Sequence, residues 1–148
     1  MAENRWTAYD SIVSYLTTEL NALGNNENKL GAAIDFATAG ADRKLYLDIE
    51  VNLASVDLSS AVNPAIYLWM LSRTDGTNFE DGGDSVDPAR PPDAIIPIIA
   101  SNAAHRAFAR HILTTPDQGK ILVENQTGAG LAATGNTVKY NLYSEEFV

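Results

Sequence analysis

Over residues 45–53 the chain alternates without a break. Leu45, Leu47, Ile49, Val51 and Leu53 are aliphatic, and Tyr46, Asp48, Glu50 and Asn52 stand between them. Successive side chains of a β-strand point to opposite faces, so this period of two puts every aliphatic on one side and every polar residue on the other. Wound as a helix, the same aliphatics would scatter around the whole circumference. The segment therefore demands a core on one side and water or a partner on the other, which is the condition of a strand in a packed sheet.

Other segments agree with that demand. Residues 66–71 (IYLWML) are apolar on both faces, as an interior strand of a sandwich would be, and Asn63-Pro64 marks a turn before them. Trp69, inside that run, is assigned to core packing. Residues 30–36, 95–100 and 107–113 supply further short strands, with Pro97 suited to an edge strand or a strand end. Near the carboxyl end, residues 121–124 form an apolar run and residues 138–143 alternate again. Between them lies a loop of small residues holding Gly128, Gly130 and Gly135. That pattern predicts two antiparallel strands joined by a tailored loop. Only residues 7–23 carry helical spacing, with Tyr9, Ile12, Val13, Leu16, Leu20 and Leu23 in one stripe, Thr7 and Asp10 placed for a capping box, and Gly24 as a stop. A helix is the favoured reading, with an extended arm as the alternative because Tyr15, Thr17 and Thr18 are weak helix formers. The expected architecture is all-β: an antiparallel β-sandwich, jelly-roll-like, over residues 25–148, preceded by a short N-terminal helix or arm at residues 1–24.

Composition narrows the chemistry. The chain has 19 acids against 10 bases, a net charge of −9, the opposite of the balance on a nucleic-acid-binding face. No apolar run is long enough to span a bilayer, and the amino terminus lacks the basic start and apolar stretch of an export signal. Neither nucleic acid nor membrane is therefore an expected partner. Cysteine is absent, which removes disulfides, cysteine-based zinc sites and cysteine nucleophiles.

Asp75, Asn78, Glu80, Asp81, Asp84 and Asp87 crowd into the longest irregular stretch, residues 75–93. Gathered carboxylates offer the oxygen ligands of a calcium site, but the spacing is not that of an EF-hand. Gly76, Gly82 and Gly83 also suit a flexible surface loop, and a loop this long is usually functional or mobile. His105 and His111, six residues apart on an expected strand, should share a face at about 20 Å, too far to chelate one ion. No G-x-S-x-G elbow or phosphate-binding loop occurs, and Ser101 stands near His105 only in sequence. No catalytic, metal or cofactor residue is expected, and the expected role is not enzymatic.

The C-terminal block carries a resemblance. Leu122, Asn125, Thr127, Gly128, Ala129, Ala133, Gly135, Asn136, Thr137, Lys139 and Tyr140 resemble a block in small virion proteins of tailed bacteriophages, where it closes a β-sandwich. The stretches WTAYDSIVSYLTTELNAL, KLYLDIEVNLAS and NPAIYLWML are similar to segments found in the same order in those proteins, so the likeness spans most of the chain. It implies a capsid decoration, or cement, protein made in the host cytoplasm and bound to the outside of a phage head. The implied partners are the major capsid protein or another virion protein, with self-association, as a trimer. Docking would fall to residues 1–23 and the C-terminal tail, with Trp6, Tyr9, Tyr46, Tyr143 and Phe147 as contact residues. The alternative is a carbohydrate-binding or adhesion module of a phage tail or capsid spike, built on exposed aromatics beside Asp and Asn.

Overall fold

The computed structural model describes residues 3–6, 10–36, 43–115 and 117–147. Its strands are β1 (Asn4–Trp6), β2 (Val13–Leu16), β3 (Asn28–Leu30), β4 (Ile34–Asp35), β5 (Tyr46–Leu53), β6 (Ala65–Ser72), β7 (Ala94–Pro97), β8 (His105–Leu113), β9 (Gln118–Gln126), β10 (Thr137–Tyr143) and β11 (Glu145–Phe147). All pairings are antiparallel, and they nest. Innermost is β6 with β7, then β5 with β8, β3 and β4 with β9, β2 with β10, and outermost β1 with β11. Alternate pairs fall in opposite sheets, giving β2-β10-β5-β8 on one side and β3-β9-β6-β7, with β4 beside β9, on the other. A chain doubled back on itself and rolled in this way is a jelly roll.

The core lies between the two sheets. β5 sends Leu47, Ile49, Val51 and Leu53 into it, and β6 sends Ile66, Leu68 and Met70 from the opposite sheet. Pro97 ends β7 at a sheet edge, where its missing N–H costs no ladder bond. The strand expected over residues 30–36 is split at residues 31–33. Gly31 there backs onto the Tyr15 ring so closely that a Cβ would lie 2.0 Å from the ring carbon.

Two expectations are corrected. The helix over residues 7–23 does not form: residues 7–9 lie outside the described residues, Val13–Leu16 is strand β2, and residues 17–22 turn. Leu16, Leu20 and Leu23 are buried, but by a strand end and a turn that wraps the end of the sandwich. Ile12 and Val13, which a helix would have buried beside them, stand 62% and 43% exposed. The Glu19 carboxylate fixes the turn by accepting the Thr17 and Thr18 N–H groups at 2.7 and 2.9 Å, and these donors hold its pKa below the usual range. Residues 13–23 are thus part of the sandwich and its core.

The C-terminal strands β9 and β10 do not pair with each other either; the loop between them crosses from one sheet to the other. Two buried amides decide this path. Asn125 donates to the Leu23, Gly24 and Ala129 carbonyls at 2.8–3.1 Å and accepts from the Thr127 N–H and hydroxyl. Asn136 accepts the Ala54 N–H at 3.0 Å and donates to Ala132 O and Asn21 Oδ1. Gly128 and Gly135, at φ of 86° and 85°, let the backbone make the turns. Both asparagines belong to the block that carries the resemblance, and both act by fastening the crossing loop to the N-terminal turn.

Residues 73–93 cover the outer face of β6 and β9. Tyr67, Trp69 and Leu71 alternate outward from β6 and meet Leu122 of β9, and a second small core forms there around buried Trp69, Leu71 and Leu122. Trp69 Nε1 donates to Arg90 O at 3.0 Å. Arg90 spans the covering segment, bonded to Glu80, Asp93 and Met70 O at 2.6–2.9 Å, and the Glu80 hydrogen bond above all keeps its guanidinium more firmly protonated than usual. Asp84 bonds Lys29 and the Leu30 N–H, Asp87 bonds Asn28, and Arg73 bonds Asp117. The long irregular stretch, expected to be functional or mobile, is a cover held by paired charges.

Candidate interaction face

The outer face of β2-β10-β5-β8 has no such cover among the described residues. The alternation of β5 sends Tyr46, Asp48, Glu50 and Asn52 to this side, and the register with β10 sets Tyr143, Asn141, Lys139 and Thr137 opposite them. Trp6, Ile12, Val13, Phe108 and Leu113, all large and apolar, stand 43–66% exposed on this sheet and its margins.

At one end, aromatic rings gather. Trp6 lies edge-on to Tyr46, His111 and Tyr143, with ring centroids 5.6–5.7 Å away, and Tyr46 stacks on Tyr143 at 5.5 Å. Such offset and T-shaped pairs are the favoured arrangements of aromatic quadrupoles. Asp48 Oδ1 accepts the Tyr143 hydroxyl at 3.1 Å and the His111 N–H at 2.9 Å. The second bond closes a β-bulge: the β5–β8 register shifts between Leu47 and Ile49, and His111 takes a φ of 58°.

That bulge corrects the expectation for the histidines. His105 sits opposite Leu53, whose side chain is in the core, whereas His111 joins the outward rings. One extra residue in β8 reverses the parity between them, so they do not share a face. Ser101 Oγ and His105 Nε2 are 3.5 Å apart, and the contact lies away from the aromatic cluster at the other end of β8.

The middle of the face is a shallow depression of about 250 Å³, bordered by Ile12, Glu50, Arg106, Phe108, Arg110 and Lys139. Phe108 carries a guanidinium on each side, Arg106 at 5.2 Å and Arg110 at 5.4 Å from its ring centroid. Glu50 receives Arg106 at 2.5 Å and Asn52 at 2.6 Å, and these bonds, Arg106 first, hold its carboxyl below the usual range.

Of the residues expected at contacts, Trp6, Tyr46 and Tyr143 come together in the aromatic cluster. Trp6 is 53% exposed; Tyr143, at 2%, supports the cluster from beneath. Tyr9 lies outside the described residues, and Phe147 is described only through its backbone pairing with Asn4. Sequence reasoning missed Phe108 and its flanking arginines. Their signal was present as the alternation Arg106, Phe108, Arg110 with Ala107 and Ala109 between, bulky residues outward and small ones inward. Among the described residues no group of three or more histidine, aspartate or glutamate side chains is placed to hold a metal ion. Comparison of the chain with protein-family models, curated proteins and solved structures returns no match.

Proposed function

We propose that this protein is a structural, non-enzymatic virion component, a decoration protein that binds the outer surface of a phage head through the open face of β2-β10-β5-β8. The observation that supports the reading is the unequal treatment of the two outer faces. One is covered over β6 and β9 by the chain's own residues 73–93, with Ile95 of edge strand β7 left exposed, while the other leaves Trp6, Ile12, Phe108 and Leu113 exposed. An apolar patch rimmed by charge is what an adhesive surface offers and what a solitary domain normally avoids. The phage setting, the head location, the capsid-protein partner and the trimer come from the resemblance of the C-terminal block. Many such contacts on one shell act together, so each can be modest while the particle gains considerably.

A glycan-binding module is the second reading; of the tyrosines and tryptophans expected at contacts, Trp6 offers it an exposed ring, whereas Tyr46 is half-buried and Tyr143 is buried. The test is co-sedimentation of the protein with phage heads lacking it and, separately, with beads bearing host-surface glycans. Heads should bind the parent protein and lose most of Phe108→Ala; retention on glycan beads with none on heads would reverse the order of the two readings. Deleting residues 1–23 is a poor test, because it removes β2 along with Leu16, Leu20 and Leu23 from the core.

A further inference from the structure

We infer that the depression around Phe108 receives an acidic surface of another protein, one that places an apolar side chain between carboxylates. This rests on the open face being the contact surface, and it names the chemistry of what binds there.

The charge of the face runs against that of the chain. In a protein with 19 acids and 10 bases, Arg106, Arg110 and Lys139 gather around one depression. Only Glu50 among the carboxylates there is matched to a cation, through Arg106. Asp48 is turned to the Tyr143 hydroxyl and the His111 N–H. Arg110 makes no ion pair among the described residues, and Lys139 faces Glu50 across the β5–β10 pair, where the two charges attract. One guanidinium without an ion pair among the described residues, Arg110, therefore lies over an exposed aromatic ring, with Lys139 on the far side of Glu50. A guanidinium lying over a ring keeps its N–H edge free for a carboxylate, so the ring and the charge can be used at once.

Two features select the class of partner. Glu50 in the middle of the patch would repel the evenly spaced phosphates of a nucleic acid, which call for a continuous cationic track. A second copy of the chain is the competing source of carboxylates, since Asp75, Asp81 and Asp87 of its acidic segment are exposed and make no ion pair among the described residues. Self-association of the full-length chain that Arg110→Glu abolishes would overturn the inference. Exposed Phe108 beside arginine matches the residue types enriched in protein interfaces.

The experiment measures retention of the full-length chain on three immobilised probes: a random glutamate–tyrosine copolymer, polyglutamate and single-stranded oligothymidylate. The copolymer should retain the protein best, and retention should fall as salt is raised. Arg110→Glu should weaken copolymer binding about tenfold or more. Phe108→Ala should lower retention on the copolymer while leaving polyglutamate unchanged, and Ser60→Glu, on an exposed turn elsewhere, should change neither. Circular dichroism of each variant confirms that the sandwich is folded. Unaltered copolymer binding by folded Arg110→Glu, or stronger retention on oligothymidylate, overturns the inference. Head sedimentation separates the two claims. If Phe108→Ala loses the heads while Arg110→Glu keeps them, the contact surface stands and the acidic chemistry falls. If both variants bind heads like the parent protein, the reading of the open face falls with it.

Discussion

The two outer faces of this jelly roll start from the same difficulty and end differently. Both sheets carry bulky side chains on the side away from the core. On β6 and β9 these are Tyr67, Trp69, Leu71 and Leu122, and residues 73–93 fold over them until Trp69 is 4% and Leu71 0% exposed. On β5, β8 and β10 the outward set is Tyr46, Phe108, Lys139 and their neighbours, and Phe108 remains 44% exposed. A covered face contributes to stability by the same burial that makes a core. An uncovered one contributes little until something else binds. The difference separates what the chain needs in order to fold from what it keeps available afterwards.

The largest effect should come from opening the covered face. Trp69→Ala removes the centre of the small outer core and the Nε1 donor to Arg90 O, and should cost about 3–5 kcal/mol in urea unfolding. A loss below about 1 kcal/mol would mean that the cover is not a packed layer and that the two faces are alike. Arg90→Ala should follow, at about 2 kcal/mol, because it takes a charged donor from Met70 O and leaves Glu80 and Asp93 without their partner. It should also speed proteolysis within residues 74–93 relative to the parent protein, since the cover then opens locally.

How much of this was legible depends on the range of the forces involved. β5, β6, β8 and β10 are written in local alternation or in continuous apolar runs, so they could be read directly, and Tyr46 could be placed outward with them. The helix expected over residues 7–23 failed because Leu16, Leu20 and Leu23 have the spacing of a helical stripe and also that of a strand end followed by a turn. Only the pairing of β2 with β10 distinguishes these. The crossing of the β9–β10 loop rests on Asn125 and Asn136 reaching carbonyls and amides about a hundred residues away. The cover was hidden for the same reason: its charges pair with Lys29 and Asp117, far along the chain. The bulge that turns His111 outward rests on a carboxylate–amide bond between two strands, which no window on one strand contains. Phe108 between two arginines was visible in the sequence, and its meaning emerged only when its face proved to be uncovered.

A pH series sharpens the comparison from inside the covered face. Glu124 sits opposite Tyr67 and Asn28, 5% exposed under the cover. Burial first, and then the nearby Asp87 charge, raise its pKa above the ordinary glutamate value, against a lowering hydrogen bond from Gln126. With the folded pKa above the unfolded one, the folded state holds the proton more tightly, so ionised Glu124 costs stability at neutral pH. That cost is relieved as pH falls through the folded pKa. Glu124→Gln should therefore melt at a higher temperature than the parent protein at pH 7, with the gap closing towards the ordinary glutamate range. A gap that is constant with pH would mean that the carboxyl is hydrated and the cover loose.

The smallest effect belongs to the open face, and its smallness is the point. Phe108→Ala deletes an aromatic side chain as large as many in the core, yet it should change the unfolding free energy by no more than about 1 kcal/mol. What is lost is exposed area and two cation–π contacts of the kind that contribute about 0.5–1 kcal/mol each at the surface, partly replaced by hydration of the freed guanidinium groups. Urea unfolding of Phe108→Ala beside Trp69→Ala makes the measurement, with the same class of substitution on opposite outer faces. A loss at Phe108 approaching that at Trp69 would show that the ring is part of the fold and has no surplus to offer. A loss near zero leaves an exposed phenylalanine between two arginines that stability does not explain, and a contact with another molecule is then what accounts for it.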